Sequence, residues 1–307
     1  MQIDLRTVSI TPLRQTYNHI ADRQGGDKAA SRYIEATMDV QANANFHYRP
    51  TWDPEHELFD ATRTALKMKD WYALKDPRQL YYGSYTQARA RLQETAEADF
   101  DFVESRGLAE RYDDAARRTA LDFYLPLRHV AWGANMNGAF MAAYGYGTAI
   151  TQPCLYASMD QLGIAQYLSR LGLLLGQQGD LEAAKQAWLQ APAWQGLRRL
   201  VEDSWVMKDW FELFVAQHVV LDGLLYGLAY KEVDSALSNQ AGPTVSMLTR
   251  FQAEWIGDHV KWVDAVLKTA AAESAENKAL LSQWARAWRE RALEALQPRI
   301  RSNGWWC

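Results

Sequence analysis

The strongest constraint on the fold is a helical spacing of apolar residues, which continues through most of the chain after about residue 62. Amphipathic helices show this spacing, whereas half-buried strands alternate with a period of two. One segment repeats it at Leu121, Tyr124, Leu125, Trp132, Met136, Phe140 and Tyr144. The few breakers predict helices over residues 86–106, 113–150, 155–178, 197–237, 244–271 and 277–297. The sequence therefore predicts an all-α fold built as a bundle of long helices.

The first 60 residues have an irregular pattern, unlike the helical remainder of the chain. Pro50 and Pro54 interrupt any regular helix, and the residue before each proline favours extended geometry. We expect residues 1–60 to form an extended N-terminal arm that lies on another surface, and residues 61–307 to form the helical domain. The C-terminal Trp305-Trp306-Cys307 is expected to dock as well, because two exposed tryptophans would be costly.

Composition excludes several classes of protein. The 307 residues are 48% hydrophobic and 23% charged with a net charge of −4, which excludes dominant disorder and predicts no nucleic-acid partner. Apolar runs fall short of the ~20 residues of a membrane span, and no signal peptide is recognised, so a cytoplasmic protein is expected. Of the two cysteines, Cys154 is predicted to be a buried, inert thiol. The 12% of aromatic residues predicts a large aromatic core, extensive partner contact, or both.

Common catalytic constellations are missing. The sequence has neither a phosphate-binding glycine loop nor a nucleophile elbow, and Tyr144-Gly-Tyr-Gly147 is assigned to helix packing. Di-iron carboxylate bundles use Glu-x-x-His pairs, yet none of the six histidines has a Glu three residues before it. Glutamate is also absent from residue 111 to residue 181. The sequence therefore predicts a bundle that has no di-iron site of this type.

Several local strings point to one family. They are FHYRPTWDPEHELFD at residues 46–60, WYALKDPRQLY at 71–81, PAWQGLR at 192–198 and DWFELFV at 209–215. Together they resemble the β subunit of the bacterial multicomponent monooxygenases, over nearly the whole chain, and most of all the phenol hydroxylase type. The resemblance implies a large ferritin-like helical bundle with a degenerate metal site.

The resemblance also implies where the ligands have been lost. The catalytic α subunit of this family repeats Asp-Glu-x-Arg-His, each time with an upstream Glu. The first set of positions falls on Ala131, Gln161 and Ile164, and the second on Asp222, Ile256 and His259. Only Asp222 and His259 are good metal ligands among the six. The resemblance thus implies no cofactor in this chain and a di-iron centre in the partner α subunit.

The implied role is structural. In this family α, β and a small γ subunit form a dimer of heterotrimers, which works with a regulatory protein and a reductase that takes electrons from NADH. The chain is then expected to be a non-catalytic β subunit of an enzyme that hydroxylates aromatics, of the phenol-to-catechol type, with O2. Phe46, Tyr48, Arg49 and Trp52 are the candidate contacts with the α subunit.

Three alternatives stay open at this point. The chain could be the β subunit of a toluene or alkene monooxygenase of the same family. It could be a metalloenzyme in its own right, using Glu212, Asp222, Glu254 and His259. It could also be a helical interaction protein unrelated to oxygenases.

Overall fold

The computed structural model describes residues 13–42 and 48–302, with side chains to residue 297. Within these ranges the regular structure is entirely helical, apart from turns. Twelve helices follow in order: α1 Asn18–Gln24, α2 Arg32–Thr37, α3 Tyr82–Ser105, α4 Leu108–Arg111, α5 Asp114–Tyr144, α6 Thr148–Leu175, α7 Gln178–Gln190, α8 Pro192–Ser204, α9 Trp210–Ala241, α10 Thr244–Leu248, α11 Arg250–Glu273 and α12 Ala275–Ser302. Short 3₁₀ turns lie at Ala61–Arg63 and Trp71–Ala73. The prediction of an all-α, long-helix bundle is confirmed.

The antiparallel pair α5 and α6 forms the centre of the bundle. The sequence placed a break at Pro153, but α6 runs through this proline and α5 runs through Pro126. The real break is the Gly145–Gly147 turn, which had wrongly been assigned to a helix interior. Gly147 has a φ of 89°, a left-handed conformation that suits glycine, and its N–H donates to Gln41 at 2.7 Å.

The second helical prediction that needs correction is the segment 197–237. It is divided between α8 and α9 by residues 205–209, and α9 then contains two π-helical stretches, Val215–Leu221 and Leu228–Val233. Asp209 caps α9 as its spacing to Glu212 predicts, accepting bonds from the backbone N–H groups of Phe211 and Glu212. The expectation that every apolar run falls short of a membrane span is wrong for α9, which is long and apolar enough to cross a membrane. However, 72% of its most apolar window is buried inside the protein, as in a core helix.

Tryptophan is mainly a core residue here. Eight of the eleven tryptophans in the described ranges are buried: Trp71, Trp188, Trp194, Trp210, Trp255, Trp262, Trp284 and Trp288. They divide between two apolar clusters, one around α5, α6, α8 and α9 and one around the start of α9, α11 and α12. Cys154 is fully buried in the second cluster, and burial raises the pKa of its thiol far above the ordinary value, as expected of an inert thiol.

The described part of residues 1–60 packs on the helical body of the same chain. Two short helices lie within it, and Ile20 and Tyr33 are buried. The hydroxyl of Thr148, at the start of α6, donates to the carbonyl of Thr37 at 2.7 Å. The division into an arm of residues 1–60 and a domain of residues 61–307 stays a prediction, and the Trp305-Trp306-Cys307 tail lies outside the described residues.

Candidate functional site

Four of the six degenerate ligand positions meet in the middle of the bundle. Ala131 on α5, Gln161 and Ile164 on α6, and Asp222 on α9 line one cavity of about 10 Å³. On the same measure a single water needs roughly 10–15 Å³, so the bundle is almost completely filled here. The four positions that the resemblance implies therefore lie close together in the structure. Ile256 does not line the cavity: it lies half-buried on α11, against the main apolar cluster.

The side chains around the cavity cannot bind two irons. Ala131 and Ile164 offer only hydrocarbon, as does Ile256. Gln161 offers an uncharged amide, whose Oε1 accepts a hydrogen bond from the Tyr226 hydroxyl at 3.3 Å. Two irons in a bundle of this kind need four carboxylates and two histidines. The residues present do not fit a di-iron centre.

Asp222 and His259 are joined by a third residue, His218, which sequence reasoning missed. Nδ1 of His218 lies 3.1 Å from Oδ2 of Asp222 and 3.1 Å from Nε2 of His259. All three side chains are at most 3% exposed. Among the described residues, these three side chains form the one group of histidines and carboxylates whose ligand atoms are close enough to share a metal ion. The signal that could have found His218 is its spacing of four from Asp222.

The π-helical stretch of α9 explains how this cluster is assembled. Val215–Leu221 winds wider than an α-helix, and Asp222 follows it directly. Gln217 therefore reaches Asp222 as well, and its Nε2 donates to Oδ1 at 2.8 Å, while His218 faces Oδ2. Single π turns inside α-helices often occur at functional sites. One carboxylate is thus held by two side chains of its own helix.

Aromatic rings enclose the cluster. The indole of Trp255 stacks on the His259 ring with centroids 4.3 Å apart, and Trp262 lies edge-on at 5.3 Å. Burial in this apolar shell lowers the pKa of His259 well below its ordinary value, with smaller contributions from the charges of His218, Arg78 and Arg89. The His259 ring is therefore neutral at pH 7 in the folded chain.

Asp160 organises the neighbouring region. Its side chain is 3% exposed and accepts four hydrogen bonds. The donors are the Tyr85 hydroxyl, two nitrogens of Arg89 and the Trp255 indole, at 2.7 to 2.9 Å. Burial and then the charge of Asp160 raise the pKa of the Tyr85 hydroxyl, so this group stays protonated. Asp160 starts the first degenerate motif, but its part in joining α3, α6 and α11 was not predicted.

The glutamates of the metalloenzyme alternative lie apart from the cluster. Oε1 of Glu212 accepts a hydrogen bond from the Trp288 indole at 3.0 Å, which ties α9 to α12. Glu254 is half-exposed and pairs with Arg250 at 3.2 Å. Neither belongs to the group that could share an ion. The set Glu212, Asp222, Glu254 and His259 is therefore not a joint site in this structure.

The candidate partner contacts have mixed positions. Phe46 lies outside the described residues. Tyr48 and Trp52 are 50% and 69% exposed, which leaves at least half of each residue open to a partner. The Trp52 indole nevertheless donates to the hydroxyl of Tyr144 at 2.8 Å, and the Arg49 guanidinium donates to the carbonyl of Pro54 at 3.2 Å.

A second exposed surface was not foreseen. Trp132 and Met136 on α5, with Leu155, Met159 and Leu162 on α6, are each 45–47% exposed. The helical spacing suggested that Trp132 and Met136 belong to the core, but they point away from it. We name these five residues the α5–α6 apolar face. Large side chains exposed together in this way are typical of interaction sites.

Comparison with known proteins places the chain. Residues 52–274 match the family described as Methane/Phenol/Alkene Hydroxylase. The chain belongs to this family. Family membership excludes the alternative of an unrelated helical interaction protein.

Members of the family differ widely in their similarity to the chain. It is 52% identical over 286 residues, 92% of the chain and 86% of the relative, to the oxygenase component MhpL of phenol 2-monooxygenase from Acinetobacter pittii (strain PHEA-2). It is 25% identical over 306 residues, 95% of the chain and 92% of the relative, to the hydroxylase component subunit beta of the toluene-4-monooxygenase system from Ectopseudomonas mendocina. A crystal structure of phenol hydroxylase from Pseudomonas sp. OX1 matches with a TM-score of 0.90 and 45% identity, over 97% of this chain and 92% of that chain. The ferritin-like fold is thereby confirmed.

Proposed function

We propose that this chain is the non-catalytic β subunit of a multicomponent di-iron monooxygenase that hydroxylates phenol-type aromatics to catechols, with O2 and electrons from NADH. One observation carries the proposal: the chain keeps the fold of the family, yet the positions expected to hold two irons contain Ala131, Gln161, Ile164 and Ile256. A subunit without that centre contributes by holding the assembly together.

The chemistry is assigned to a partner. Relatives carry names such as oxygenase component and hydroxylase component subunit beta, which imply other subunits. We assign the di-iron centre to a catalytic α subunit, which joins this chain and a small γ subunit in a dimer of heterotrimers. A regulatory protein and a reductase complete the cytoplasmic system.

Two surfaces suit the α subunit. The first is the half-exposed Tyr48 and Trp52, together with Arg49. The second is the α5–α6 apolar face, which lies on the outside of the two helices whose inner sides fill the degenerate centre. Burying apolar area contributes about 25 cal/mol per Å², so five large side chains provide a strong contact.

Phenol is favoured over toluene by similarity. Identity to the phenol monooxygenase component is 52%, against 25% to the toluene monooxygenase β subunit, at comparable coverage. We therefore assign the chain to the phenol branch, and a toluene or alkene monooxygenase is the second candidate.

Reconstitution tests the proposal. The chain is expressed alone, its partners without it, and all components together, and phenol consumption with NADH is measured in each case. The chain alone should show no turnover, the partners alone should show little, and the complete set should form catechol. Phenol hydroxylation by the chain alone would contradict the proposal.

A further inference from the structure

The geometry points to a mononuclear metal site in this chain: His218, Asp222 and His259 bind one divalent transition-metal ion of the zinc class. This site differs from the di-iron centre of the family. It takes one ion, and it uses His218, which occupies none of the six positions inherited from the family motif. It does not depend on the proposed function.

The distances are those of a metal-binding triangle. His218 Nδ1 lies 3.1 Å from Asp222 Oδ2 and from His259 Nε2, and the last two atoms are 3.8 Å apart. A point equidistant from all three atoms lies about 2 Å from each of them. Zinc bonds to histidine nitrogen and carboxylate oxygen measure about 2.0–2.2 Å. The three distances therefore match one ion bonded to all three atoms.

The three polar atoms are brought together inside the protein. Each lies within 3.8 Å of the other two, and the three side chains are at most 3% exposed. Buried charged groups in proteins are paired with one another or coordinate a metal ion. A cation bonded to all three atoms satisfies the second condition.

The surroundings hold the ligands in place. Gln217 donates to the second oxygen of Asp222 at 2.8 Å, and Trp255 stacks on His259, so two of the three ligands are oriented by neighbours. The guanidinium of Arg89 is paired with Asp160 and that of Arg78 with Asp76, at 2.7 and 2.9 Å. These two positive charges, which both act on His259, are thereby offset, and the repulsion of a bound cation is reduced.

The donor set and the enclosure identify the class of ion. Two histidines and one carboxylate suit zinc and its neighbours, whereas magnesium and calcium prefer oxygen ligands alone. The cavity beside Asp222 is no larger than about one water and has no room for an organic substrate. The site is therefore structural: it ties α9 to α11. Such a buried ion enters during folding.

Metal analysis of the complex tests the assignment. The full-length chain is purified with its partners from cells grown with added zinc sulfate, as wild type and as Asp222→Asn, His259→Gln and His129→Gln variants. The matched control His129 is a part-buried histidine that packs on Trp188, outside the cluster. We expect zinc to fall by one atom per copy of this chain in the first two variants only, with iron unchanged. Equal zinc in all four complexes would overturn the inference.

A second measurement needs no variant and so does not depend on the folding of mutants. Diffraction from wild-type crystals at the zinc absorption edge should give an anomalous peak between His218, Asp222 and His259. A map without that peak, or a peak that appears only at the iron edge, would overturn the assignment.

Discussion

The Trp255 indole donates a hydrogen bond of 2.8 Å to Oδ2 of Asp160, which links α11 to α6 in the middle of the bundle. The same carboxylate pairs with Arg89 from α3, so three helices meet at one buried charge. Because Trp255 also stacks on His259, this linkage adjoins the histidine cluster. The interior of the subunit thus has polar contacts at its centre, although the family's ligands are largely gone.

Breaking this linkage should destabilise the chain strongly. Asp160→Asn leaves the guanidinium of Arg89 buried without its charge partner, and removing one partner of a buried pair costs about 3–5 kcal/mol. Urea unfolding of the isolated chain measures the loss. Asp264→Asn breaks an exposed pair with Lys268 and should cost less than about 1 kcal/mol. Equal effects of the two substitutions would show that Asp160 is not a central contact.

Two glycines of the α5–α6 pair should respond in opposite ways to alanine. A Cβ at Gly138 would lie 2.8 Å from the Cβ and 3.0 Å from the Cα of Ser158, so Gly138→Ala pushes the helices apart and should cost about 1–3 kcal/mol. A Cβ at Gly163 meets nothing within 4 Å, so Gly163→Ala should stabilise by up to about 1 kcal/mol. Thermal unfolding compares them. A stabilising Gly138→Ala would refute the close helix contact.

His129 should make stability depend on pH. Burial, with the nearby charges of Arg128 and Lys185, lowers the pKa of His129 to about 4. In the unfolded chain His129 takes up a proton near pH 6.5, whereas in the folded chain it does so only near pH 4. The free energy of unfolding is therefore unaffected by His129 above pH 6.5 and decreases as the pH falls toward 4. We expect a loss of the order of 2 kcal/mol across this window. His129→Phe keeps the ring on Trp188 and should flatten the pH profile; an unchanged slope would contradict the assignment.

Charges on the α5–α6 apolar face should impair assembly while leaving the fold intact. Met136→Lys with Leu162→Lys places two cations where each side chain is 46% exposed, so the unfolding free energy should change by less than about 0.5 kcal/mol per site. Binding to the α subunit should weaken at least tenfold. Leu189→Lys on α7, at a side chain that is 38% exposed, is the matched control. Urea unfolding measures the first quantity, and titration calorimetry with the α subunit measures the second. Normal assembly by the double variant would exclude this face from the interface.

Periodicity alone predicted the helical class. The positions Ala131, Gln161, Ile164 and Asp222 came from the family motif, and the structure places these four residues around one cavity. The sequence-based prediction misplaced the break between α5 and α6. Proline was treated as the stronger signal, whereas the turn depends on the left-handed conformation of Gly147.

The histidine cluster was harder to predict. The search for metal ligands used the three-residue spacing of an α-helix, and the π-helical stretch of α9 brings His218 and Gln217 onto Asp222 at spacings of four and five. The outward Trp132 and Met136 were missed for another reason: the sequence does not distinguish an apolar side chain that meets the core from one that meets a partner.

The most direct test of the account is the iron content of this chain, purified in folded form without its partners from cells grown with added iron. A degenerate centre predicts near-zero iron per chain, whether or not zinc is bound at His218, Asp222 and His259. Close to two irons per folded chain would contradict the account and make this subunit a catalytic candidate.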